Sequence, residues 1–222
     1  MQLDPRLQDL ALKRAVSTPP GFHNLGEFHN GAYECEFVSP YSKSAHSTQS
    51  GVLIFLQDWI SADVLAGELL PEAIQSGRIP SLPTNRNLDR LLQDGLGLKL
   101  AQTYATNLFP FIKPGGMSAP IPMALLRKCA TEFAIPHIQI LHPRLVVALG
   151  LATYNALASA LGGVAQKHLS AAIECPFEFE SSTIWCQAHP GALGQNSRNR
   201  ERPGQTTIDW EQMGIWYSRN AP

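Results

Sequence analysis

Polar side chains that can do chemistry follow three short apolar runs of the sequence. Gln57 and Asp58 come directly after the first run, Asn107 lies near the end of the second, and His189 follows the last. A carboxylate can act as a base or as a fixed negative charge. An amide offers a donor and an acceptor side by side, which suits the edge of a nucleobase. An imidazole can donate a hydrogen bond to an oxygen that gains charge.

The elements that must position these groups are predicted from the apolar runs themselves. Short runs of Val, Leu, Ile and Phe between Gly and polar residues are typical of buried strands in a parallel sheet. The sequence predicts strands at Val52–Leu56, 103–108, Leu145–Leu149 and 183–186, with helices between them. This alternation predicts an α/β fold of three α/β/α layers around a central, mostly parallel four-stranded sheet. Ligands bind beyond the carboxyl ends of such strands, so we expect the polar groups to share one edge.

The chain organisation is predicted to be one domain. Its 222 residues are enough to bury a sizeable core. Residues 51–222 are expected to form a single α/β domain, and residues 1–50 an N-terminal helix and arm packed on it. The arm includes an aromatic segment, residues 37–43, that could line a cleft as readily as form a surface loop.

Composition limits the possible partners. The chain is 44% hydrophobic and 16% charged with a net charge of −1, so it gives no global attraction to nucleic acid or to anionic membranes. Its four cysteines form no C-x-x-C pair, so we expect no zinc or iron–sulfur site and no cofactor. Scattered cysteines and a start without an apolar signal core predict a cytoplasmic protein with no membrane contact.

The sequence lacks the motifs of two reaction classes. No serine stands in a G-x-S-x-G elbow, and no glycine-rich loop follows the first strand. Acyl transfer and phosphate-cradling chemistry are therefore not favoured.

Three of the polar segments carry a resemblance to a known family. Gln57-Asp58, Thr106-Asn107 and His189-Pro190 have the order and spacing of the motifs of the uracil-DNA glycosylase superfamily. That superfamily has a Gln-Asp-Pro-Tyr or Glu-Ala-Pro motif after strand one, an Asn at the end of strand two and a His-Pro-Ser motif after strand four. Residues 143–157 also resemble its third strand and following helix. The resemblance covers about residues 52–200.

The resemblance implies hydrolysis of the N-glycosidic bond of a flipped-out uracil or related deaminated base in DNA. Asp58 would hold a water and offset the charge growing on the sugar, Asn107 would read the pyrimidine edge, and His189 would donate to O2 of the leaving base. The partner would be single- or double-stranded DNA, with the protein acting as a monomer. The implied catalytic residues are Asp58 and His189, the base-binding residues are Gln57, Trp59, Ile60 and Asn107, and the DNA-binding residues are Lys113, Gly191, Arg198, Arg200 and Arg202.

Departures from the family pattern keep other functions open. Pro-Tyr does not follow Asp58, no aromatic stands where the family stacks a Phe on the base, and Gly191 replaces the motif's Ser. One alternative is therefore an inactive member that binds a nucleobase, nucleotide or nucleic acid. A second alternative is a hydrolase of another N-glycoside, such as a free nucleoside. Asp58 as a helix cap, Asn107 as a turn residue and His189 as a structural histidine also remain open.

Overall fold

The computed structural model describes residues 4–200 and 202–220. Within these residues the strands are β1 (Val52–Leu56), β2 (Tyr104–Asn107), β3 (Leu145–Leu149), β4 (Phe177–Phe179) and β5 (Ser182–Gln187). They form one sheet in the order β2-β1-β3-β5-β4. The pairs β1–β2, β1–β3 and β3–β5 are parallel, and β4 pairs with β5 in the antiparallel sense.

The helices connect the strands and cover the sheet. They are α1 (Pro5–Val16), α2 (Ala62–Leu65), α3 (Pro71–Ser76), α4 (Pro83–Leu96), α5 (Met123–Cys129), α6 (Ile135–Leu141), α7 (Leu151–Leu161), α8 (Leu169–Ile173), α9 (Ala192–Arg198) and α10 (Gln205–Arg219). A π-helical turn, Ala130–Ala134, joins α5 and α6. The Asp4 carboxylate caps α1 by accepting the Arg6 backbone N–H at 2.9 Å.

The fold class is confirmed as an α/β fold with helices on both sides of a mostly parallel sheet, but the predicted number of strands is wrong. In the described part of the chain the sheet has five strands rather than four, because β4 adds an antiparallel edge strand. This strand is only three residues long and alternates Phe-Glu-Phe. A segment this short gives no periodic signal, and only its pairing with β5 identifies it.

The core lies in two layers because successive strand residues point to opposite faces. In β1, Leu53 and Phe55 pack with α1, α5, α6, α7 and α8 on one face. Val52, Ile54 and Leu56 pack with α3, α4 and α10 on the other. A fully buried β1 agrees with its continuous apolar sequence, since both faces of the central strands are covered.

A buried guanidinium joins helix α1 to the arm that follows it in the N-terminal segment. Arg14 donates to Asn24 Oδ1 at 2.9 Å and to Glu34 Oε1 at 2.5 Å, and also to the carbonyls of Cys35 and Phe37. The side chain is only 1% exposed, so these partners replace water around a buried charge. The network fixes the start of the arm that leads to the carboxyl edge of the sheet.

Residues 4–200 and 202–220 contain neither a candidate membrane span nor a candidate metal cluster. No helix there combines the length and apolar character needed to cross a bilayer. Nor do three His, Cys, Asp or Glu side chains come together in that part of the chain as a metal site would require.

A buried histidine should make the fold acid-sensitive. His137 on α6 donates from Nδ1 to the Phe133 carbonyl at 2.7 Å and lies against Phe55 and Tyr104. Burial lowers its pKa to about 4. The folded state therefore resists protonation that the unfolded chain accepts near pH 6.5, so stability present above that pH is lost as the pH falls towards 4.

We predict that the decrease in unfolding free energy from pH 7 to pH 4 is about 3 kcal/mol smaller in His137→Gln than in the wild type. Urea unfolding at both pH values measures this loss. His168→Gln, at an exposed position, should leave the pH dependence of the wild type intact. Equal acid sensitivity of the His137 variant and the wild type would contradict the prediction.

Candidate active site

The parallel strands bring the predicted polar groups to one edge of the sheet. Leu56 of β1 lies opposite Asn107 of β2, and Leu149 of β3 lies opposite Gln187 of β5. The residues that follow β1 and β5, including Asp58 and His189, therefore emerge on the same side. Ligand sites of open α/β sheets lie at this carboxyl edge.

A buried ion pair occupies the centre of the edge. Asp58 Oδ2 lies 2.8 Å from Lys113 Nζ, with the two side chains 12% and 4% exposed. Asp58 Oδ1 accepts a hydrogen bond from Gln57 Nε2 at 3.2 Å. The Lys113 ammonium also donates to the Met117 carbonyl. The carboxylate is thus held in one orientation by a cation on one oxygen and an amide on the other.

The place of Lys113 differs from the prediction that it contacts DNA phosphates. Its ammonium is directed at Asp58 from the loop after β2 and is shielded from solvent. The loop is anchored on both sides of this residue: Ile112 and His23 exchange two backbone hydrogen bonds of 2.9 Å, and the Ala62 N–H donates to the Lys113 carbonyl at 2.9 Å. The buried amine therefore belongs to the site, and contact with DNA phosphates stays a prediction that would require the ammonium to leave Asp58.

His189 is a neutral imidazole with a defined tautomer. Its Nδ1 accepts the Gly191 backbone N–H at 3.0 Å, so the ring hydrogen resides on Nε2. Burial lowers the pKa of His189 below its ordinary value, while Asp58 raises it and Lys113 lowers it by smaller amounts. The ring can therefore donate one hydrogen bond, from Nε2.

Gly191 is required for space beside this ring. A Cβ atom at this position would lie 2.9 Å from His189 Nδ1 and 3.1 Å from Thr84 Oγ1. Asn87 of α4 adds a hydrogen bond of 2.9 Å to the Pro190 carbonyl. The Gly191 N–H donates to His189 and so supports the imidazole, while the predicted DNA contact of Gly191 stays a prediction.

Asn107 is placed differently from a base-reading amide. Its Oδ1 accepts a hydrogen bond of 2.5 Å from Ser39 Oγ of the N-terminal arm. The residue is 1% exposed, and its Nδ2 is buried with no hydrogen-bond partner in the described chain. The amide therefore has an unused donor, but it lies under the arm and not on the wall of either cavity described next.

A cavity of about 300 Å³ opens beside the ion pair. Its polar wall is formed by Gln57, Asp58, Lys113 and His189, and the remaining wall by residues 117–120 and 149–152. This volume is at the lower end of the range for small-molecule sites.

A second cavity, of about 340 Å³, lies on the other side of Asp58 and His189. Trp59 and Ile60 form part of its largely apolar wall together with Tyr41 from the arm. Trp59 Nε1 donates to the Gly77 carbonyl at 2.7 Å, and Tyr41 OH donates to Asn85 Oδ1 at 2.9 Å. Because burial raises the pKa of Tyr41 to about 12, this hydroxyl stays protonated.

The predicted arginines divide into two groups. Arg198 is held by a two-pronged ion pair to the buried Asp209, with distances of 2.7 and 2.9 Å. The pair joins α9 to α10 and gives Arg198 a structural contact, while its predicted contact with DNA stays a prediction. Arg200 and Arg202 are exposed between these helices, and their predicted contacts with DNA phosphates stay predictions.

Sequence reasoning missed two features of this region. Leu193 in the first turn of α9 is 86% exposed, only four residues after His189. A single large apolar residue in an otherwise polar and glycine-rich segment was the available signal. The Asp58–Lys113 ion pair had no such signal, because the two residues are distant in sequence.

The comparisons with known proteins assign no family. A scan against protein-family models found no match, and a search of curated proteins found no significantly similar sequence.

We predict that Gly191→Ala raises the pKa of His189 towards its ordinary value. The added methyl group pushes the His189 ring away from the loop and exposes it to water. Because burial is the main cause of the lowered pKa, this exposure should raise the pKa again. Titration of the imidazole proton resonances by NMR, assigned with His189→Gln, measures the pKa. Ala192→Ser, at the adjacent exposed position, is the matched control. An unchanged His189 pKa in Gly191→Ala would refute this account.

Proposed function

We propose that the protein is a glycosylase of the uracil-DNA glycosylase superfamily that hydrolyses the N-glycosidic bond of a flipped-out uracil or related deaminated base. The observation that carries the proposal is the shared cavity wall of Asp58 and His189 at the carboxyl edge of the sheet. A fixed carboxylate and a neutral N–H donor beside one cavity are the two groups that this reaction requires.

The proposed mechanism divides the developing charge between these two groups. As the glycosidic bond breaks, negative charge grows on the base and positive charge on the sugar. Nε2–H of His189 donates to the base oxygen, while the Asp58 carboxylate orients a water and offsets the charge on the sugar. Because these charges arise only in the transition state, losing one preorganised donor costs about 100- to 1000-fold in rate.

Base recognition in this proposal uses groups on both sides of Asp58. Gln57 borders the polar cavity, whereas Trp59 and Ile60 border the apolar one. Asn107 can use its free Nδ2 for the pyrimidine edge only if Ser39 and the arm move away from it. The proposal therefore includes a displacement of the arm when the base enters.

DNA binding is assigned to the surface around α9. Arg200 and Arg202 offer two exposed cations for phosphates. Leu193 is an exposed apolar side chain beside the site, and such residues can insert between base steps and hold an extruded nucleotide out of the stack. The proposed protein acts as a monomer on single- or double-stranded DNA in the cytoplasm.

The second candidate function is a nucleobase, nucleotide or nucleic-acid binding protein that does not cleave. The ion pair favours it, because Lys113 neutralises the carboxylate and occupies one of its oxygens. The burial of Asn107 under Ser39 also favours it. These contacts would have to rearrange for catalysis but not for simple binding.

The decisive experiment is single-turnover base release from oligonucleotides that contain uracil, hypoxanthine or xanthine. We predict that Asp58→Asn lowers the rate at least about tenfold, since the amide cannot offset the positive charge of the sugar. Asp63→Asn, at a nearby exposed carboxylate, should retain the wild-type rate. Salt-sensitive DNA binding without release of any of these bases would reject the glycosylase and support the binding protein.

We further predict that Leu193→Ala slows base release from double-stranded DNA at least about tenfold more than from single-stranded DNA. The reason is that only a duplex demands the few kcal/mol needed to unstack and extrude the base. Val16→Ala on α1 is the control, because Val16 and Leu193 are both 86% exposed. Equal losses on the two substrates would exclude a wedge role for Leu193.

A further inference from the structure

The Lys113 amine has no assigned task in the proposed hydrolysis, although it stands on the wall of the polar cavity. Lysine is rarely this buried unless it is paired or functional. Its side chain is 4% exposed, and its ammonium lies 2.8 Å from the carboxylate that would face the sugar. The amine is therefore close to the place that the sugar carbon C1′ would occupy.

Contacts of both the backbone and the side chain keep this amine in the cavity. The backbone on either side of it is fixed by the Ile112–His23 pair and by the Ala62 N–H, both described above. The ammonium is held by Asp58 and by the Met117 carbonyl. An exposed lysine such as Lys128, with its side chain 65% exposed, has no comparable constraint. Orientation of this kind is what an amine nucleophile requires.

We propose that Lys113 is an amine nucleophile that captures the aldehyde of an abasic deoxyribose as an imine. The inference rests on the proposed function, because release of a base leaves a sugar whose open-chain form carries an aldehyde at C1′. It adds a covalent step on the product to the hydrolysis of the substrate. Amines of lysine form such Schiff bases with carbonyl groups.

The step balances with the groups that are present. The Lys113 ammonium first passes a proton to Asp58 Oδ2, which lies 2.8 Å away. The free amine attacks C1′, forming a C–N bond, and one nitrogen hydrogen moves to the former aldehyde oxygen. Asp58 then returns its proton to that hydroxyl group, which leaves as water. The products are a protonated imine with one hydrogen on nitrogen, one water and the original carboxylate.

The test uses an oligonucleotide with a preformed abasic site, incubated with the protein and sodium cyanoborohydride. The reagent reduces an imine to a stable secondary amine, which is detected as a protein–DNA adduct on a denaturing gel. We expect the wild type to form the adduct and peptide mass spectrometry to map it to Lys113. Lys113→Arg keeps a cation for Asp58 but cannot form an imine, so its adduct should fall below detection. Lys128→Arg should trap as the wild type does.

The inference is overturned if the wild type forms no adduct, if the adduct maps to another lysine or to the N-terminal amine, or if Lys113→Arg retains it. Mapping on the wild type does not depend on the folding of any variant. Because the abasic site is supplied ready-made, the result is independent of base release. Base release without an adduct would support the glycosylase activity and reject the imine. An adduct at Lys113 without base release would support the imine and reject the glycosylase activity.

Discussion

The charge of Asp58 is the constraint to which the carboxyl edge of the sheet is fitted. A carboxylate that is mostly withdrawn from water needs a partner, and removing one member of a buried pair costs about 3–5 kcal/mol in typical proteins. Here the partner is Lys113, which the loop between β2 and α5 brings to 2.8 Å from Asp58 Oδ2. Gln57 donates to Asp58, the Met117 carbonyl accepts from Lys113, and all four residues line the polar cavity.

The same ion pair has two opposing effects on the proposed reaction. An ion pair keeps the carboxylate charged and oriented, which assists stabilisation of a cationic sugar. It also places the Lys113 ammonium close to the sugar on which positive charge must grow, and the repulsion between the two charges opposes the reaction. A protein that only binds would have no conflict to resolve, and this is the physical difference between the two candidate functions.

The imidazole shows how much support a single donor needs. His189 is set by the end of β5, by the Gly191 N–H and by the contact of α4 with the Pro190 carbonyl. Gly191, which departs from the serine of the family motif, is explained by the 2.9 Å distance that a Cβ atom would have from the ring. The departure therefore reflects packing around the histidine. In the proposed glycosylase, Arg200 and Arg202 would make the phosphate contacts that the motif's serine makes in the family.

The sequence by itself determined the central strands and the edge on which the polar groups emerge. β1 and β3 have the predicted bounds, because a continuous apolar run between glycine and polar residues has few other stable environments. Only the tertiary structure decided which polar groups meet. Lys113 turns inward to Asp58, Asn107 is covered by Ser39, and Arg198 pairs with Asp209. A local pattern specifies a strand because its own neighbours bury it. A contact between residues distant in sequence depends on the packing of the whole chain, which no local pattern records.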